Sequence, residues 1–123
     1  MKFNRHKYLA VRTVAADGSK FPSKSECARY ETLLAMRNAG LIRGFIRQPR
    51  FTLGVPENVY VSDFLVFEND GKAHAEDVKG METPKFKRDK KLWLRYGPCQ
   101  LGIIKGGKCV ETVDPKVEGT NHA

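Results

Sequence analysis

Val59-Tyr60-Val61-Ser62-Asp63-Phe64-Leu65-Val66-Phe67 and Ala73-His74-Ala75-Glu76-Asp77-Val78-Lys79-Gly80 are two apolar runs that each carry charge where a buried strand would carry none. Between them, Glu68-Asn69-Asp70-Gly71-Lys72 has the Asn and Asp-Gly content of a hairpin loop. Side chains alternate along a strand, so Asp77 and Lys79 share one face about 7 Å apart, and Glu76 and Val78 take the other. Paired strands of this kind present an acid, a gap, then an acid and a Lys.

The elements around this hairpin follow from turn and cap signals. Upstream, Leu41 to Leu53 alternates as a strand, with Pro49 arguing for an interruption, a bulge or an edge, and Gly54 to Asn58 reads as a turn. Three antiparallel strands in a meander result. A helix over about residues 24–39 precedes them: Ser23 is a good N-cap, Glu26 falls at the capping-box spacing, and Ala39-Gly40 is a stop. Before it, residues 6–21 read as a hairpin closed by Asp17-Gly18. Downstream, Thr83 and Pro84 open a second helix that Gly97-Pro98 ends. Its apolar stripe is Phe86, Trp93 and Leu94, and its basic face is Lys85, Lys87, Arg88, Lys90, Lys91 and Arg95. A strand at residues 100–105 turns at Gly106-Gly107 into a weaker one ending at Val113, and residues 114–123 are a polar, frayed tail.

The chain is therefore expected to be a single α/β domain over residues 1–113, with its core at about 22–105 and a central mixed β-sheet flanked by two helices. At 123 residues, 41% hydrophobic and 10% aromatic, it can bury a core but not two. It has no apolar run of membrane length, and its first residues lack the apolar block of a signal peptide, which points to a cytoplasmic protein. Cys27, Cys99 and Cys109 are odd in number and widely spaced, so zinc is not expected and each reads as a buried, inert thiol.

Charge is distributed unevenly within the net +8. Residues 1–50 hold eleven Lys or Arg against three acids, residues 79–95 hold seven against two, and residues 51–78 reverse this with one base against six acids. Basic flanks around an acidic centre suit a polyanion, phosphate being the commonest. Hydrolysis of a phosphodiester calls for a divalent metal that offsets charge on the phosphate and supplies a nucleophile near neutral pH, held by hard oxygen ligands. Asp63 and Asp77 meet that need, with Lys79 to offset charge in the transition state. Glu26 has two readings, as a third carboxylate of the site and as a member of the capping box alone.

The succession Asp63, hairpin, Asp77-Val78-Lys79 resembles the bipartite signature of the PD-(D/E)XK nucleases, whose restriction-endonuclease-like core runs helix, three strands, helix, strand. The wider pattern, from Asp17-Gly18 through Phe21-Pro22-Ser23-Lys24-Ser25-Glu26, Tyr30, Gln48-Pro49, Asp63-Phe64 and Glu76-Asp77-Val78-Lys79-Gly80 to Lys90, is similar to small phage-encoded proteins grouped with Holliday junction resolvases and endonuclease I. It covers about residues 8–105. The resemblance implies a Mg²⁺ site, with Mn²⁺ as substitute, made by Asp63, Asp77 and Glu26, with Lys79 as catalytic Lys and Gln48 nearby. It also implies branched or junction DNA as substrate, bound through Lys24, Arg29, Lys85, Lys87, Arg88, Lys90 and Lys91, a homodimer, a role in phage DNA recombination, and a place in the host cytoplasm. Ser62 stands where the signature has Pro. The alternative from another class is a DNA-binding accessory protein that keeps the fold without catalysis.

Overall fold

A computed structural model describes residues 13–116. Their two helices and nine strands run β1 (Thr13–Val14), β2 (Lys20–Phe21), α1 (Lys24–Asn38), β3 (Gly44–Arg47), β4 (Arg50–Thr52), β5 (Val59–Val61), β6 (Phe64–Phe67), β7 (Ala73–Val78), α2 (Pro84–Tyr96), β8 (Gln100–Lys105) and β9 (Lys108–Val113). The part of the expected 6–21 hairpin before Thr13 and the end of the expected tail lie outside the described residues.

Each helix starts where its cap chemistry places it. The Ser23 hydroxyl accepts from the Glu26 N–H and the Thr83 hydroxyl from the Phe86 N–H, and Pro84 occupies the first turn of α2 where a missing N–H costs nothing. At the end of α1, Gly40 adopts φ +79°, its N–H bonds the Arg37 carbonyl and the Leu41 N–H bonds the Met36 carbonyl. These are the two hydrogen bonds of a Schellman ending.

Five strands form one mixed sheet in the order β3-β6-β7-β8-β9. β3, β6 and β7 are an antiparallel meander, β8 runs parallel to β7 after the α2 crossover, and β9 returns antiparallel. α1 packs on one face, where Cys27 and Leu33 meet Phe21, Ile42, Phe64 and Val66. On the other, Phe86 and Trp93 of α2 meet Leu53, Tyr60, Ala75, Leu101, Ile103 and Val113. Trp93 has no exposed surface, and its indole N–H reaches the Cys99 carbonyl at 2.7 Å, so the buried ring leaves no unpaired donor.

Two of the expected long strands are broken, at the same level of the sheet. Leu41 to Leu53 yields β3 and β4, and Val59 to Phe67 yields β5 and β6, with β4 and β5 paired as a separate ribbon. The cause is local. Pro49 offers no N–H, Gln48 before it takes φ +54°, and Ser62 turns its hydroxyl onto the Phe64 carbonyl at 3.1 Å. The Gln48 N–H to Asp63 carbonyl bond (2.9 Å) keeps the ribbon and the sheet in one register across the break. Asp63 thus stands at an opened end of the sheet and not inside a strand. Cys109 is exposed, unlike the buried Cys27, and corrects the expectation of three buried thiols.

Candidate functional site

Extending the β6–β7 register by one pair sets Asp63 opposite Asp77. Like charges directly across a ladder are unfavourable, and backbone donors offset the repulsion here. Asp63 Oδ2 accepts from the Val78 N–H at 2.7 Å, and Asp77 Oδ1 accepts from the Asp63 N–H at 3.2 Å. The pair is locked by exchange between the two strands. Asp77 is 2% exposed, and its Oδ2 is buried with no hydrogen-bond partner.

Glu26 joins them from the first turn of α1. Its N–H is spent on the Ser23 cap, but the carboxylate does not return to the cap, and its Oε2 is likewise buried without a partner. Burial, then the Asp63 charge, pushes Glu26 up to about 7, against the opposing effects of Arg47 and Lys79. Burial also pushes Asp77 up to about 7, with Glu26 and Asp89 adding to it and Lys79 and the Asp63 N–H opposing. Asp63 is raised by burial too, less so because of the Val78 N–H, Lys79 and Arg47. Three carboxylates acting on one another with two orphaned oxygens are an arrangement that a cation relieves.

Lys79 follows the last residue of β7 and is anchored through its N–H to the Ile104 carbonyl at 3.0 Å. Its ammonium lies 4.3 Å from the centroid of the Phe86 ring, while its charge lowers Glu26, Asp63 and Asp77. Among the described residues it makes no ion pair, so the i, i+2 salt bridge with Asp77 that would be its purely structural use is not formed.

The chain belongs to the DUF1064 family. The family, described as a protein of unknown function, matches residues 5–111. No curated protein matches the chain.

In this DUF1064 chain, no group of three or more His, Cys, Asp or Glu among the described residues forms a metal cage by itself. Mg²⁺ commonly binds through one or two carboxylates, keeping waters and substrate phosphates as its other ligands. The Asp63–Asp77 pair with its free buried oxygen fits that donor chemistry, and Glu26 adds a third hard oxygen within electrostatic reach.

Glu76 is the acid that strand alternation turns away. Arg29 Nε and Nη2 each donate to it at 2.7 Å, and His74 Nε2 lies at 2.8 Å while His74 Nδ1 meets Glu68 at 2.7 Å. Burial would raise Glu76, but the Arg29 fork and His74 outweigh it and hold the carboxyl below its usual range. Arg29, expected to contact DNA, is therefore committed to Glu76, and His74 bridges Glu76 to the half-exposed Glu68. An acid facing α1 from mid-strand needs a partner, and that need was the available signal for Arg29.

Of the other cations expected to meet DNA, Lys24, Lys87 and Lys91 are exposed and make no ion pair among the described residues. Lys85 pairs with Asp89 at 2.9 Å, Arg88 with Asp89 at 3.8 Å and Asn58 at 3.1 Å, and Lys90 with Glu82 at 2.8 Å and Glu111 at 3.2 Å. Asp89, buried at 6%, went unnoticed in the sequence because it sits inside a basic run. Arg47 was also missed, although its charge acts on both Glu26 and Asp63. No described helix is long and apolar enough to cross a membrane.

Proposed function

We propose that this protein is a divalent-metal-dependent endodeoxyribonuclease of the PD-(D/E)XK kind. The reading is carried by one observation: Glu26 Oε2 and Asp77 Oδ2 are both buried and unpartnered beside the locked Asp63. The order α1, meander β3-β6-β7, α2 and parallel β8 supports it, since it agrees with the helix, three strands, helix, strand expected for a restriction-endonuclease-like core. So does the net charge of +8 around an acidic centre.

Asp63, Asp77 and Glu26 would hold Mg²⁺ or Mn²⁺. When bound, the ion supplies charge neutralisation at the scissile phosphate and a nucleophile near neutral pH. The protein's own residues do the rest. Backbone N–H groups of Asp63 and Val78 fix the acids, so that no reorganisation is needed when the substrate arrives. Lys79, unpaired among the described carboxylates, is available to offset charge that builds on the phosphate. Exposed Lys24, Lys87 and Lys91 attract the DNA backbone, which fixes affinity without reading bases. The substrate class is branched or junction DNA, cut by a homodimer during phage DNA recombination in the host cytoplasm.

The test is incubation of the protein with a labelled four-way junction and with linear duplex, in Mg²⁺, Mn²⁺ and EDTA, beside Lys79→Ala and Asp63→Asn. Metal-dependent cutting, faster on the junction and lost in both variants, is the expected result. Cutting in EDTA, or full activity in both variants, overturns the mechanism. Binding without cutting under any metal replaces it with the accessory reading.

A further inference from the structure

Beside the acid pair, and on the opposite side of Asp63 from β7, lies a small pocket of about 230 Å³ lined by Lys20, Phe21, Pro22, Arg47 and Gln48. Arg47 is its principal charge. The guanidinium carbon stacks 3.8 Å from the Phe21 ring centroid, and Nη2 donates to the Lys20 carbonyl at 3.0 Å. Nε is buried with no partner, and no carboxylate among the described residues pairs with the group. A guanidinium carries five N–H donors in a rigid fork. One is used here, and the stack on Phe21 fixes the plane of the others.

The pocket is tied to the candidate active site through the backbone. Arg47 pairs with Phe64 in the β3–β6 register, and the Gln48 N–H bonds the Asp63 carbonyl. Gln48 holds φ +54°, a conformation uncommon outside Gly and maintained here by the break that exposes Asp63. Two cations, Lys20 and Arg47, and one amide therefore line a recess directly next to the acids. Water or a carboxylate would satisfy a lone Arg, but a planar, immobilised fork beside a phosphodiester-cutting centre matches a tetrahedral oxyanion best.

We propose that Arg47, with Lys20 and Gln48, forms a docking subsite for a phosphodiester neighbouring the scissile one, so that the strand is held at two consecutive charged points while it is cut. The inference rests on the nuclease reading and deepens it. Arg47 is a positioning residue in this scheme, because its phosphate is not the one that reacts.

The competing reading is that Arg47 only staples β3 to the β1–β2 hairpin through Phe21. DNA binding measured against salt in Ca²⁺ separates the two. Arg47→Gln should bind all sequences more weakly and flatten the slope of log K against log salt by about 0.9, the contribution of one duplex phosphate contact. Arg47→Lys should recover the slope. On the DNA side, single uncharged methylphosphonate linkages placed around the cut should reveal one neighbouring position that weakens wild-type binding and does not further weaken Arg47→Gln. If the variants fail to fold, the linkage series on wild-type protein still decides: no sensitive linkage within two nucleotides of the cut overturns the subsite. A wild-type protein that cuts DNA while Arg47→Gln keeps the full slope overturns the subsite alone. A wild-type protein that binds no DNA overturns both readings.

Discussion

Glu26→Gln should make the metal-free protein more stable at pH 8 and about 1 kcal/mol less stable at acid pH. The carboxyl sits at about 7 in the folded chain against an ordinary 4.5. Its folded form therefore holds a proton more tightly than the unfolded form, folding takes up a proton between those values, and stability falls as pH rises through that window and is level above it. The difference of about 2.5 pH units corresponds to roughly 3 kcal/mol carried as a cost at pH 8. Gln removes the charge and keeps the backbone cap, because the Ser23 hydroxyl binds the Glu26 N–H and not its side chain. It still buries a polar head, so a net gain of about 2 kcal/mol is expected. Asp77 is raised partly by Glu26, so the two costs are coupled and do not add. Urea unfolding in EDTA at pH 4 and pH 8 measures this, the midpoint at pH 8 moving up by about 1 M for a typical small-domain slope. Millimolar Mg²⁺ should then stabilise wild type more than the variant. A variant no more stable than wild type at pH 8, or equally stabilised at both pH values, would refute the reasoning that the acids are held under strain for a cation.

Other outcomes follow from neighbouring features. Arg29→Met leaves Glu76, 3% exposed in its side chain, without its fork, and should cost roughly 3 kcal/mol in chemical denaturation. His74 is raised above 6.5, first by its bond to Glu76, against desolvation, and further by Glu68. Its contribution is complete below pH 6.5 and is lost as pH rises through the elevated folded value, so His74→Asn should flatten the decline of thermal midpoint that sets in above pH 6.5. Gly97→Ala places a Cβ 2.6 Å from the Trp93 indole, whose N–H is already fixed on Cys99. It should cost about 1–3 kcal/mol and alter the near-ultraviolet circular dichroism of Trp93.

What could be read from the sequence was what depends on neighbours in the chain. Ser23, Thr83-Pro84 and Ala39-Gly40 set the helix ends to within a residue, and Asn69 to Gly71 set the β6–β7 hairpin. Alternation from Lys79 placed Glu76 and Asp77 on opposite faces, and their partners differ accordingly, Arg29 of α1 for Glu76 and the Asp63 N–H for Asp77. What could not be read depends on contacts far apart in sequence. The break at Ser62-Asp63 is imposed by Pro49 across the ribbon, Arg29 finds Glu76 47 residues away, and Arg47 finds Phe21 from another sheet. A basic residue in the sequence carries no mark of whether solvent or a buried acid will receive it. Composition consequently overcounted the free cations of α2, where three of six are in ion pairs.

The two bonds that lock Asp63 and Asp77 belong to a hairpin of adjacent strands, whereas Lys79 is moored to Ile104, beyond the whole of α2. Hairpins close in microseconds, while parallel pairing waits for a crossover to pack. The acids are thus joined by contacts 14 and 15 residues apart in sequence, while the Lys79 anchor requires β8. A chain shortened before residue 100 would keep both strands that oppose Asp63 and Asp77 but lack the Ile104 carbonyl that anchors Lys79.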